Sequence, residues 1–177
     1  MKQNGKTVSA GNNRDRNTYV KRQLTQALEE LLKTKPLEAL SVQELCETAM
    51  VGRASFYRNF TSKEDILRRR IQDLLEDWIL SLSHSDDATP SSRLLDLFRH
   101  LDRHRDFCSL LHERNLVWLL REALNGSLQI DPTLPKEEAY AKAYVTSTIF
   151  GWIELWLDRG MKETPEEIAG MFQSRGL

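Results

Sequence analysis

The chain has 177 residues, of which 40% are hydrophobic and 29% charged, with only 8 Gly and 5 Pro. That length suits one domain or a small module on a larger one, and so few turn-forming residues exclude a loop-rich β architecture. The formal net charge is −1, and taken whole it argues against a nucleic-acid binder, which is usually basic.

Residues 1–14 are polar and lack apolar periodicity, so they are expected to form a flexible arm. Val20, Leu24, Ala27, Leu28, Leu31 and Leu32 then recur at helical spacing and predict a helix over 15–33, with Pro36 just beyond its end. Ser41 with Glu44 three residues on reads as a capping box opening a short helix to about Ala49. A second short helix follows over 53–60, with Val51, Phe56 and Phe60 facing inward. Thr61 or Ser62 caps a long helix whose stripe runs from Ile66 through Leu74, Leu75 and Trp78 to about Ser83.

The polar run from His84 to Ser92 is a loop, and Thr89-Pro90 starts the next helix. A break near 104–106 separates it from a helix carrying Phe107, Leu110 and Leu111. The stretch 116–124 ends at Asn125-Gly126, read as a C-cap. A loop at 131–135 leads to the most apolar helix, 136–159, which Gly160 stops; Thr164-Pro165 opens a last short helix to about Gln173. No segment alternates with period 2. The expected fold is all-α, with about nine helices.

Cys46 and Cys108 are too few and too far apart for a disulfide scaffold or a zinc finger, and read as small buried hydrophobes in a reducing compartment. The opening residues lack the apolar core of a signal peptide. The apolar stretch 144–157 is too short and too polar to span a membrane, so a cytoplasmic protein with no membrane partner is expected. His100 and His104 share a helix spacing, but two ligands fall short of the three or four a metal needs. They are read as solvated, with no metal expected. No HExxH, GxSxG, P-loop or glycine-rich dinucleotide turn occurs, so neither an enzyme nor a cofactor is expected.

Two short helices joined by Met50-Val51-Gly52 and braced by a longer one make a helix-turn-helix pattern, whose second helix can enter the major groove. Its outward face would offer Arg53, Ser55, Tyr57, Arg58 and Asn59 to phosphates and base edges. Periodicity alone leaves a helical bundle with a polar surface equally open. Charge distribution separates the two. Residues 1–70 carry 14 basic and 8 acidic side chains, net +6, while 71–177 carry 11 and 18, net −7. A basic module on an acidic body suits a DNA reader with a separate sensing domain.

Residues 41–67 resemble the signature of TetR/AcrR transcriptional regulators, above all in Phe56, Tyr57, Phe60, Lys63, Glu64, Ile66 and Leu67. The segment 143–161, followed by Thr164-Pro165-Glu166-Glu167, is similar to the C-terminal domain of a Firmicutes subgroup. The resemblance implies a DNA-binding domain at 15–61 and a regulatory and dimerisation domain at 62–177. It implies DNA contacts by Gln43, Arg53, Ala54, Ser55, Tyr57, Arg58, Asn59 and, through phosphate, Lys63. Three departures from the family stand out: Met50 stands for a turn Gly, Gly52 for a capping Ser or Thr, and Ala54-Ser55 for a Gly-Thr pair.

The resemblance also implies a homodimer, here expected through Tyr144, Thr148, Trp152, Ile153 and Trp156. A small-molecule effector pocket would be lined by Trp78, Phe98 and Trp118. The expected function is a repressor on a palindromic double-stranded DNA operator, released by an effector. The alternative is a regulator or coactivator controlled by a partner protein.

Overall fold

The computed structural model describes residues 8–82, 89–127 and 133–174, with side chains from residue 15 onward. Among these residues there are nine α-helices and one 3-10 turn, and no strand. In chain order they are α1 (Val8–Leu32), the turn Leu37–Ala39, α2 (Val42–Thr48), α3 (Arg53–Asn59), α4 (Lys63–Leu82), α5 (Pro90–Arg103), α6 (Arg105–Glu113), α7 (Val117–Ser127), α8 (Lys136–Asp158) and α9 (Pro165–Gln173). None of the described helices is long and apolar enough to cross a membrane. The chain divides into two compact units, Met1–Arg70 and Ile71–Leu177. The division between them falls inside α4, after the fully buried Ile66 and Leu67.

In the first unit α1, α2 and α3 pack pairwise. Leu24, Leu28 and Leu32 of α1 meet a core completed by Leu45, Phe56 and Leu67, all fully buried. Each such side chain contributes about 1.5–3 kcal/mol of transfer free energy. Helix α1 starts at Val8, so residues 8–14 are helical and do not extend the arm; residues 1–7 lie outside the described set. Apolar periodicity marked only where α1 becomes buried, at Val20; residues 15–19 just before it are mostly exposed. Ser41 does cap α2, accepting from the Glu44 amide at 3.0 Å, but the Glu44 carboxylate turns to Lys35 Nζ at 2.5 Å. Only half of the expected capping box therefore forms there. A full box closes α9, between Thr164 and Glu167.

Helices α2, α6 and α8 end in one recurrent way. Met50, Asn115 and Gly160 take left-handed backbones at φ 52, 57 and 73°. The following amide reaches back five residues in each case: Val51 to Cys46 at 2.9 Å, Leu116 to Leu111 at 2.7 Å, and Met161 to Trp156 at 2.7 Å. This closure satisfies carbonyls that the helix leaves open. Helix α7, by contrast, runs through Asn125-Gly126 to Ser127, so that pair is not a C-cap; Gly126 keeps a helical backbone.

In the second unit α5 packs chiefly on α9, and α8 lies against α6 and α7. Phe98 meets Trp156 edge to face, with ring centroids 5.1 Å apart. The Trp156 indole donates to the Glu163 carbonyl at 2.9 Å, and Arg105 donates to the Met161 carbonyl at 2.9 Å, so the turn after α8 is tied down from both sides.

Candidate nucleic-acid interface

Phe56 anchors α3. It is fully buried, with Tyr57 and Phe60 rings at 5.1 and 6.4 Å. A seven-residue helix buried along one side turns its remaining positions outward: Arg53, Ala54, Tyr57 and Arg58 are all exposed. Gly52 is its N-cap and provides no side-chain acceptor. Gln43, Glu47, Met50, Gly52 and Arg53 border one open concavity between α2 and the start of α3. Met50 is 87% exposed there, so the turn accommodates its side chain by projecting it into solvent. Cys46 lies beneath, its thiol pushed up by burial.

Several expected contact groups are engaged within the unit. Gln43 Nε2 donates to Glu47 Oε1 at 2.9 Å, leaving the Gln43 oxygen outward as an acceptor. Asn59 is half-buried and its Nδ2 donates to the Ser55 carbonyl at 2.8 Å, so its amide closes α3 and is not presented with the outward face. Ser55 is half-buried as well. Lys63 Nζ donates to the Leu37 carbonyl at 2.6 Å and to that of Leu40. Within this unit the Lys63 ammonium acts as a clamp on the segment between α1 and α2. Arg70 Nε stands 3.4 Å from Glu29, whose carboxyl is raised by burial against that guanidinium's pull.

The second unit bears on three expectations. Ile153 and Trp156, expected at the interface, are 1% and 2% exposed within this single chain. They share a stripe with Thr146, Phe150 and Leu157 that faces the unit's own core. The outward stripe is Tyr144, Thr148, Gly151 and Leu155, at the same i, i+4, i+7, i+11 spacing shifted by two residues, which puts it on the opposite side of α8. Trp152 is half-buried against Phe172 of α9, ring centroids 5.6 Å apart.

Of the expected pocket trio, Phe98 is fully buried on Trp156, Trp118 on α7 is exposed, and Trp78 lies on α4. His100, read as solvated, is 5% exposed. Its phase gave the signal, three residues after Leu97 and beside Leu101 on a buried face. Among the described residues no group of three or more His, Cys, Asp or Glu could hold a metal.

The sequence matches the family of bacterial regulatory proteins, tetR family, over residues 24–69, and a transcriptional regulator C-terminal region over 88–174. The chain belongs to the TetR family. It is a helix-turn-helix, DNA-binding transcription regulator, and regulators of this family act as dimers. This TetR-family chain is similar in fold to a TetR transcriptional regulator from Streptococcus agalactiae 2603V, with 20% identity, TM-score 0.64, 94% of this chain and 98% of that one covered. It is also similar to the fatty acid degradation regulator FadR from Bacillus halodurans, with 16% identity, TM-score 0.57, and 98% and 94% covered. No curated protein matches it.

Proposed function

We propose that this regulator is a homodimeric repressor that reads a palindromic operator and is released by a small effector. The outward face of α3 carries the reading: Arg53, Ala54, Tyr57 and Arg58 stand exposed on a helix whose other side is locked by Phe56. Arg53, at the first helical position, has the fork to take guanine O6 and N7, and Arg58 takes phosphate. Gln43 adds an acceptor for a base amino group.

One such helix reads few bases, so two copies are needed, with their recognition helices about 34–36 Å apart on one face of the duplex. The outward stripe of α8 supplies the surface for that pairing. Tyr144 and Leu155 are large and exposed, Gly151 lets two helices approach closely, and Met171 of α9 is exposed too. An effector bound in the body would favour a dimer pose that no longer fits the groove spacing.

Selection of bound duplexes from a random pool tests this reading. Enriched sites should hold two inverted half-sites about 10 bp apart. Enrichment of unsymmetrical single sites, or none, would overturn it.

A further inference from the structure

Met50 stands where a side chain is a burden to the fold. Its amide donates to the Glu47 carbonyl at 3.1 Å, and the Val51 amide to that of Cys46 at 2.9 Å. That pair of bonds is the helix ending that favours glycine, and it holds Met50 at φ 52°. Glycine adopts this backbone freely, whereas a side chain strains it. Among the described residues two others with side chains share it, Asn115 and Met161, and each has an offset. Asparagine is a residue type that tolerates the left-handed region. Met161 is 2% exposed, so burial of its side chain opposes the strain. Met50 is 87% exposed, more than any other large apolar side chain among the described residues. Burial within its own unit offsets almost none of its strain.

A backbone outlier of this kind points to a function, and the neighbours narrow which one. Met50 borders one open concavity together with Gln43, Glu47 and Arg53. Gln43 and Arg53 carry groups that match base edges. The Gln43 amide nitrogen is taken by Glu47, so its oxygen can accept from a base amino group but does not tell adenine from cytosine. The Glu47 carboxylate faces the same space and repels phosphate, so a base edge fits beside Met50 better than the DNA backbone does.

We propose that Met50 is a specificity residue whose thioether packs on the C5-methyl group of a thymine in the major groove. Of the four bases, thymine alone presents an apolar group on that edge. A methionine side chain is long, unbranched and polarizable, and it adapts to such a surface. Next to the Gln43 oxygen, a methyl contact selects an A·T pair where an amino group alone would admit either pair. The assignment rests on the operator reading above and adds one base pair to it in each half-site.

The test uses the full chain and the operator duplex found by selection. Each thymine is replaced in turn, in both half-sites together, by deoxyuridine, which removes the C5-methyl and keeps the pairing. Affinity is read by fluorescence anisotropy. One thymine position should cost about fourfold per half-site, about fifteenfold for the symmetric pair, with the log–log salt slope unchanged. Met50→Gly should lose at least that factor on the thymine operator and become indifferent to the uracil change. Its melting temperature should match or exceed the parent's, because glycine relaxes the left-handed backbone. Met50→Leu keeps an apolar side chain on the same backbone and should keep the uracil penalty. No penalty at any thymine, or a penalty equal in the parent and Met50→Gly, overturns the proposal. Arg53→Ala that still relaxes base preference on that operator then leaves the operator reading standing without Met50. Failure to select any inverted site removes both.

Discussion

Lys63 Nζ donates to the carbonyl oxygen of Leu37 at 2.6 Å, across 26 positions of sequence. With the second bond to Leu40, this fixes the start of α4 against the segment that leads into α2. Lys63→Met removes the donor and keeps the stem. It should lower the unfolding free energy by about 1–2 kcal/mol in a denaturant titration. Its salt slope for operator binding should stay near the parent's. A slope smaller by about 0.9 would mark Lys63 as a phosphate ligand instead.

Arg53 and Arg58 should part company on DNA. Arg53→Ala should lose about 1–3 kcal/mol on the operator and little on random duplex, relaxing preference at one base pair. Arg58→Ala should weaken both alike and reduce the log–log salt slope by about 0.9. Equal losses on both duplexes for Arg53→Ala would remove its role as a base reader.

The two stripes of α8 give a paired test of the dimer. Tyr144→Glu with Leu155→Glu places charge on the outward side, and sedimentation should then report a folded monomer. Ile153→Asp places charge in the unit's own core and should unfold that unit, at a cost of about 3–5 kcal/mol, whatever the oligomeric state. A dimer that survives the double substitution refutes the outward stripe as interface.

His100 makes stability depend on pH in a narrow window. Burial holds its folded pKa below the ordinary 6.5. The unfolded chain therefore takes up this proton first as pH falls, and stability declines from about 6.5 downward by at most about 1.4 kcal/mol per pH unit. Above pH 7 the ring is neutral in both states and contributes no slope. Glu44, Glu64, Glu163 and Glu166, all held below 4.5, add their own losses only at lower pH. Melting curves of His100→Phe between pH 5 and 7 should be flatter than the parent's. Parallel curves would show that His100 does not set the slope.

Much of this fold could be read from residue spacing. Leu24, Leu28 and Leu32 announce the buried side of α1, and Thr89-Pro90 and Thr164-Pro165 announce the starts of α5 and α9. What spacing could not resolve is the side of a helix that is apolar all round. Helix α8 has two stripes two residues apart, and only packing against α6 and α7 decides that Ile153 and Trp156 turn inward. The reading helix was legible from its residue types. The local bonds of Lys63 and Asn59 were not, because a side chain suited to phosphate or adenine suits a backbone carbonyl equally well.

Three helices share one kind of ending, yet the strain of that ending is not shared equally. Glycine takes a left-handed backbone freely and asparagine tolerates it, while methionine bears about 1–2 kcal/mol. The end of α8 also holds Met161 at φ 54°, so the joint between α2 and α3 is softer than the end of α6, and it is the joint that leads into Arg53. Its Val51 amide should open to solvent hydrogen more readily than that of Leu116, which closes α6. A corner that yields easily lets the reading helix settle against a groove of uneven width, so that adjustment to each operator is absorbed in a single residue while the core behind Phe56 stays rigid.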